Sequence, residues 1–159
     1  MSATRAEFLF QVLELHRLPY LWCGKGFTPA EATRLGLPIP TYDGRDCSGV
    51  VTCALRAAGG PDWRATHNAD TLHDELAAPD AGAELPGDLC LYGTPGHGTH
   101  VMVLLALDLV IGASGGGSTT TTLTRALEQG ASVRVHRRHL YRRDFIGFRR
   151  LPLAQEPRP

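Results

Sequence analysis

Arg45-Asp46-Cys47-Ser48-Gly49-Val50-Val51 is the stretch on which the fold and chemistry of this chain turn. With Asp46 as an N-cap, Cys47 falls in the first turn of a helix that continues through "VVTCALRAA" and stops at Gly59-Gly60. The unpaired N–H groups and positive dipole end of such a turn stabilise a thiolate, so the place suits a nucleophile. Ser48 and Gly49 fit the same idea, because small residues let a substrate reach the sulfur and leave backbone N–H groups available to an oxyanion. A cysteine in an apolar helix is otherwise a core residue, and Cys53 is assigned to the core on that ground.

A nucleophile needs a base, and His100 is the best placed, opening an apolar strand directly after the glycine-rich turn "TPGHGT". His97 is close enough to stay a minor candidate, while His16, His67, His73, His136 and His139 read as structural or surface residues. A zinc set of Cys47, Cys90, His97 and His100 has suitable ligand types but follows no common spacing, and no metal is assigned.

Upstream, Thr4 and Glu7 have capping-box spacing, and Phe8, Leu9, Val12, Leu13 and Leu15 lie largely on one face of a first helix that Pro19 ends. Thr28-Pro29-Ala30-Glu31 signals a second, short helix closed by Gly36. "LGLPIPTYDG" (35–44) is then a loop leading to Asp46. Past a polar connection, "ATHNADTLHDEL" (65–76), the pattern changes to strands over 88–92, 100–107, 109–114, 132–137 and 145–150. "VMVLLAL" predicts a strand covered on both faces, and "SVRVHR" one with a wet face. Helices followed by antiparallel strands define an α+β domain. "GASGGGSTTTT" (112–122) reads as a surface loop or, more sharply, as a wall beside a binding cleft. Seven arginines between 134 and 150 read as a solvated strand face and turn, with an anionic wall polymer or a partner protein as the functional alternative.

The chain of 159 residues reads as one domain over 1–152, with a helical insertion at about 27–45 and a frayed tail at 153–159. Its 16 acidic and 16 basic side chains cancel, which gives no global charge toward nucleic acid or a membrane. No apolar run reaches the roughly 18 residues a bilayer span needs. The N-terminal residues carry acids and a histidine where a signal peptide is apolar, so the expectation is a cytoplasmic chain as synthesised, phage-associated or exported by a non-classical route. Four cysteines without a C-x-x-C pair suit reduced thiols.

Taken in order, these segments resemble the NlpC/P60 family (peptidase family C40), papain-like cysteine hydrolases that cut peptide bonds in bacterial peptidoglycan. "LPYLWCGKG" (18–26) is similar to the family's Pro-Tyr-x-Trp-Gly-Gly-Lys, with Cys23 in place of the first glycine. "DCSGVV" (46–51) resembles Asp-Cys-Ser-Gly-Leu-Val, "LPGDLCLY" (85–92) the Pro-Gly-Asp-Leu strand, and "HVMVLLA" (100–106) the His-Val-Gly-Ile-Tyr strand. "VIGAS" (110–114) falls where the family has Ile-His-Ala.

The resemblance implies Cys47 as nucleophile, His100 as general base and acid, Tyr20 near the oxyanion or substrate carbonyl, Asp46 and Ser48 shaping the substrate end of the cleft, and no cofactor. The implied reaction is cysteine amidohydrolysis of a peptide amide, in peptidoglycan above all, with no nucleic acid and no membrane span. One departure matters: twelve residues after His100, where the family carries a polar residue that orients the base, stands Gly112. Ser114, His136, a backbone carbonyl or water are the substitutes, and a catalytically weakened or inactive binding or structural module is the alternative function.

Overall fold

The computed structural model describes residues 3–37, 42–106, 108–137 and 139–154. Thr4 and Thr28 each close a capping box on the glutamate three residues on, starting α1 (Arg5–Glu14) and α2 (Pro29–Leu35), and Gly36 ends α2 in the left-handed conformation. α1 buries Phe8 and Val12, whereas Leu13, expected on the inner face, is half exposed. The helix is capped at Leu15, ahead of Pro19. Asp46 caps α3 (Cys47–Ala57) by accepting the Gly49 N–H.

Asn68 caps a short helix, α4 (Ala69–Glu75), inside the segment expected to be a polar connection. The strands are β1 (Leu89–Thr94), β2 (His97–Ala106), β3 (Leu109–Ser114), β4 (Ser132–Arg137) and β5 (Phe145–Arg149). A second unforeseen helix, α5 (Leu123–Glu128), lies between β3 and β4, and a 3-10 turn (His139–Tyr141) between β4 and β5. All pairings are antiparallel in the order β4-β3-β2-β1-β5, so the α+β class holds.

β2 is the central strand, and Val101, Met102 and Val103 have no exposed surface. On one face Phe8, Val12, Val50, Val51, Ala54 and Leu55 from α1 and α3 pack on Leu89, Leu91, Val101, Val103, Ile111 and Ala113. On the other, Cys90, Tyr92, Met102, Leu104 and Val110 are covered by Tyr141, Phe145 and Phe148. β4 buries Val133 and exposes Val135, giving the expected wet face.

The Asp88 carboxylate, fully buried, accepts from Arg5 Nη1 at 3.3 Å, Arg150 Nη2 at 2.6 Å and the Leu85 N–H at 2.9 Å, which stitches α1 and the end of β5 to the start of β1. Much of the arginine run is likewise turned to internal work. Arg134 donates to the Ser114 and Gly130 carbonyls, Arg142 pairs with Asp144, and Arg149 donates to the His73 carbonyl. At the tail, the Ala154 N–H donates to the Ala3 carbonyl, so 153–154 are tied down, and residues 155–159 lie outside the described residues, as do 38–41 of the loop before Asp46. No helix among the described residues is long and apolar enough to cross a membrane.

Candidate active site

The start of α3 is held by close backbone packing. A Cβ on Gly49 would overlap the Gly24 carbonyl oxygen, which itself accepts the Asp46 N–H at 3.0 Å, so only glycine lets the two segments meet. The residues around Tyr20 run beside Arg45: Leu21 N–H donates to the Arg45 carbonyl and Arg45 N–H to the Pro19 carbonyl. Tyr20 is thereby set next to Cys47, and its ring is roofed by Gly116, where a Cβ would strike it. The glycine-rich segment therefore packs directly on the Tyr20 ring. Cys23 holds a left-handed φ of 59°, a conformation glycine adopts without strain and a side chain does not.

Asp46 and Ser48 are both buried and face inward. Asp46 Oδ1 accepts from the Ser48 hydroxyl at 3.1 Å and lies 3.4 Å from Lys25 Nζ, and Lys25 also donates to Ser48 Oγ and to the His67 carbonyl. Both side chains thereby brace the helix start. Lys25, which the motif contained but no role was given, is the cation of this cluster. Cys53, expected in the core, is partly buried and donates its thiol to the Lys25 carbonyl at 3.0 Å.

Cys47 is partly buried in the first turn of α3 and packs against the core that α3 shares with the sheet, Val101 included. The helix start that carries Cys47 thus lies against the sheet whose central strand holds His100. Burial, reinforced by the Asp46 carboxylate, pushes the Cys47 thiol up to about 11 against the opposing pull of the Val101 and Ser48 backbone and of Lys25. Burial first, then the Arg142 and His136 charges, drives the His100 imidazole down to about 3. These shifts keep Cys47 a thiol and His100 a neutral imidazole at neutral pH. Tyr20 is held well above the ordinary tyrosine range by burial, with Cys47 and Asp46 adding, and stays a neutral phenol.

His100 side chain and Gly112 both face the aromatic side of the sheet. A Cβ on Gly112 would lie 2.6 Å from Met102 Sδ, so the Met102 side chain occupies the space beside that glycine. His100 Nε2 instead hydrogen-bonds the Tyr141 hydroxyl at 2.8 Å. Tyr141 stacks on His136 (centroids 4.2 Å apart, planes 15°), and His136 Nε2 bonds Ser114 Oγ at 2.8 Å. Among the described residues His100 makes this side-chain hydrogen bond and none to Cys47.

Sequence reasoning missed Tyr141, and no local signal marks it. His97 pairs with Asp70 at 2.9 Å, Cys90 is buried in β1, and among the described residues no three metal-ligating side chains gather. Two cavities, of 360 Å³ between α1, α2 and α3 and of 660 Å³ beside Trp63 and Arg150, include neither Cys47 nor His100 in their lining.

A helix-start thiol laid against the histidine end of an antiparallel sheet belongs to the papain-like α+β class. The NlpC/P60 family profile matches residues 17–150, and the chain belongs to that family. No curated protein sequence matches it. Among solved structures it is similar to the P60 domain of the Mycobacterium avium subspecies paratuberculosis antigen MAP1204 (16% identity, 95% of this chain and 96% of that one, TM-score 0.62). It is also similar to the peptidoglycan hydrolase RipB of Mycobacterium tuberculosis (21%, 95% and 65%, TM-score 0.63). A third, RipD of the same organism, is a non-catalytic NlpC/P60 domain protein adapted to peptidoglycan binding (15%, 92% and 96%, TM-score 0.61). At these identities the likeness speaks for the fold, and the family holds both catalytic and non-catalytic members.

Proposed function

We propose that this domain is a cysteine amidohydrolase that cleaves a peptide amide of bacterial peptidoglycan, with Cys47 as nucleophile and His100 as general base and acid. The observation that carries it is the packing of α3, the helix that starts at Cys47, against β2, the strand that holds His100. As the sulfur attacks the carbonyl carbon, its proton passes to the His100 imidazole; the S–C bond forms, the oxyanion collects at the α3 N-terminus beside the Tyr20 phenol, and the C–N bond breaks as His100 returns the proton to the leaving amine. Water, deprotonated by His100, then hydrolyses the thioester. Proton transfer needs the neutral form of the imidazole, which burial maintains; the same burial makes that imidazole a weak base, which counts toward the second reading, a binding module.

RipB supports the substrate class, and RipD the competing reading of a domain that binds the same polymer without cutting it. Gly112 and the protonated thiol are the observations that favour this second reading. Purified peptidoglycan fragments incubated with the protein and with Cys47→Ala separate the two: new amine termini made by the wild type alone support hydrolysis, while equal binding and no cleavage by either leave the binding module.

A further inference from the structure

The position where the family resemblance calls for an orienting side chain is empty of one in this protein and filled from across the strand pair. The family pattern has glycine two residues after the histidine and a polar side chain ten residues further on; here the order of sizes is exchanged, with Met102 at the first place and Gly112 at the second. A base without an orienter has two tautomers, and only the one protonated on Nε2 leaves Nδ1 able to take a proton. Yet Nε2 of His100 does have a partner, and it comes from the connection between β4 and β5.

We propose that Tyr141 is the positioning residue of His100: its hydroxyl oxygen accepts the Nε2–H, fixes the imidazole in the tautomer with a basic Nδ1, and replaces the side chain that Gly112 lacks. Tyr141 is itself fixed on three sides. Its ring stacks on His136, which Ser114 anchors, its edge meets Tyr92 at a centroid distance of 5.4 Å, and it packs on the cluster of Cys90, Met102 and Val110. Burial pushes the phenol up to about 12, so it stays un-ionised through the neutral range and does not draw the proton away from Nε2. The 2.8 Å bond from His100 thus ends on a ring that packing holds in one orientation.

The proposal rests on the reading of Cys47 and His100 as a catalytic pair, and its test has a readout independent of turnover. Tyr141→Phe removes the hydroxyl and keeps the stacked ring. In 15N-labelled protein at pH 7 the His100 imidazole of the wild type is expected as the Nε2–H tautomer alone, and in Y141F as a mixture. On peptidoglycan fragments kcat is expected to fall about ten- to a hundred-fold with KM within about twofold, the pattern of a misoriented base rather than lost binding. An Nδ1–H tautomer in the wild type, or a variant unchanged in tautomer and in kcat, overturns the proposal. A tautomer shift in Y141F with no cleavage by the wild type upholds the positioning role and defeats the hydrolase reading instead.

Discussion

Cys47 rests as a protonated thiol, and this sets how fast it should meet an alkylating agent. Its value of about 11 lies some 2.5 units above the roughly 8.5 of a free thiol, which makes the thiolate about 300-fold scarcer near pH 7.5. A more basic thiolate is a better nucleophile by a Brønsted slope of about 0.4–0.5, which returns about 10–20-fold. The net expectation is carboxamidomethylation of Cys47 by iodoacetamide about 15–30-fold slower than that of glutathione in the same tube. Peptide mass spectrometry resolves Cys47 from the exposed Cys23 and from Cys53 and Cys90. Restricted access would also slow the reaction, but access does not vary with pH, so the slope decides: the Cys47 rate should climb about tenfold per pH unit up to about pH 10. Asp46→Asn keeps an N-cap acceptor and removes the nearest carboxylate, and it should speed the reaction. A Cys47 rate at or above that of glutathione below pH 7, level across acidic pH, would show a thiolate–imidazolium pair and refute the reasoning.

His100, neutral and buried, contributes stability that is present above about pH 6.5 and is lost as pH falls toward its folded value near 3. By pH 4.5 that loss amounts to about 2–3 kcal/mol, so in urea titrations at pH 7 and 4.5 His100→Asn should lose less stability than the wild type by this amount. Gly49→Ala drives a methyl into the Gly24 carbonyl and should destabilise the domain by about 3 kcal/mol or more in thermal unfolding, with loss of any cleavage. Gly112→His must displace Met102 and should cost about 1–3 kcal/mol alone, most of which Met102→Gly in the same chain should restore, as thermal unfolding of the single and double variants would show.

What was legible in the sequence was what neighbouring residues decide. Asp46 caps α3 because a carboxylate two or three residues from a free N–H needs no distant partner, and Thr4 and Thr28 are the same kind of signal. The five strands emerged from their apolar runs, and β2 from being apolar on both faces. Short α4 and α5 were missed because helices of seven and six residues show little periodicity and are stabilised by docking. Tyr141 was invisible for a different reason: it sits 41 residues after His100 in an arginine-rich turn, and only the β4–β3–β2 order folds that turn back over the histidine. The inward placement of Asp46 and Ser48 likewise depends on Lys25, 23 residues before Ser48, arriving from another segment. The protonation of Cys47 and His100 was beyond reach as well, since burial dominates both shifts and burial is a property of the assembled fold.

The central claim, that Cys47 carries the acyl group of a peptidoglycan peptide, is tested most directly by rapid quenching in acid and mass spectrometry of the protein during turnover. The expected result is a transient adduct with the mass of the acyl portion of the substrate, located on the Cys47 peptide, and absent in Cys47→Ala, which releases no amine. Cleavage that proceeds undiminished in Cys47→Ala, or turnover by the wild type with the acyl group on another residue, would contradict it.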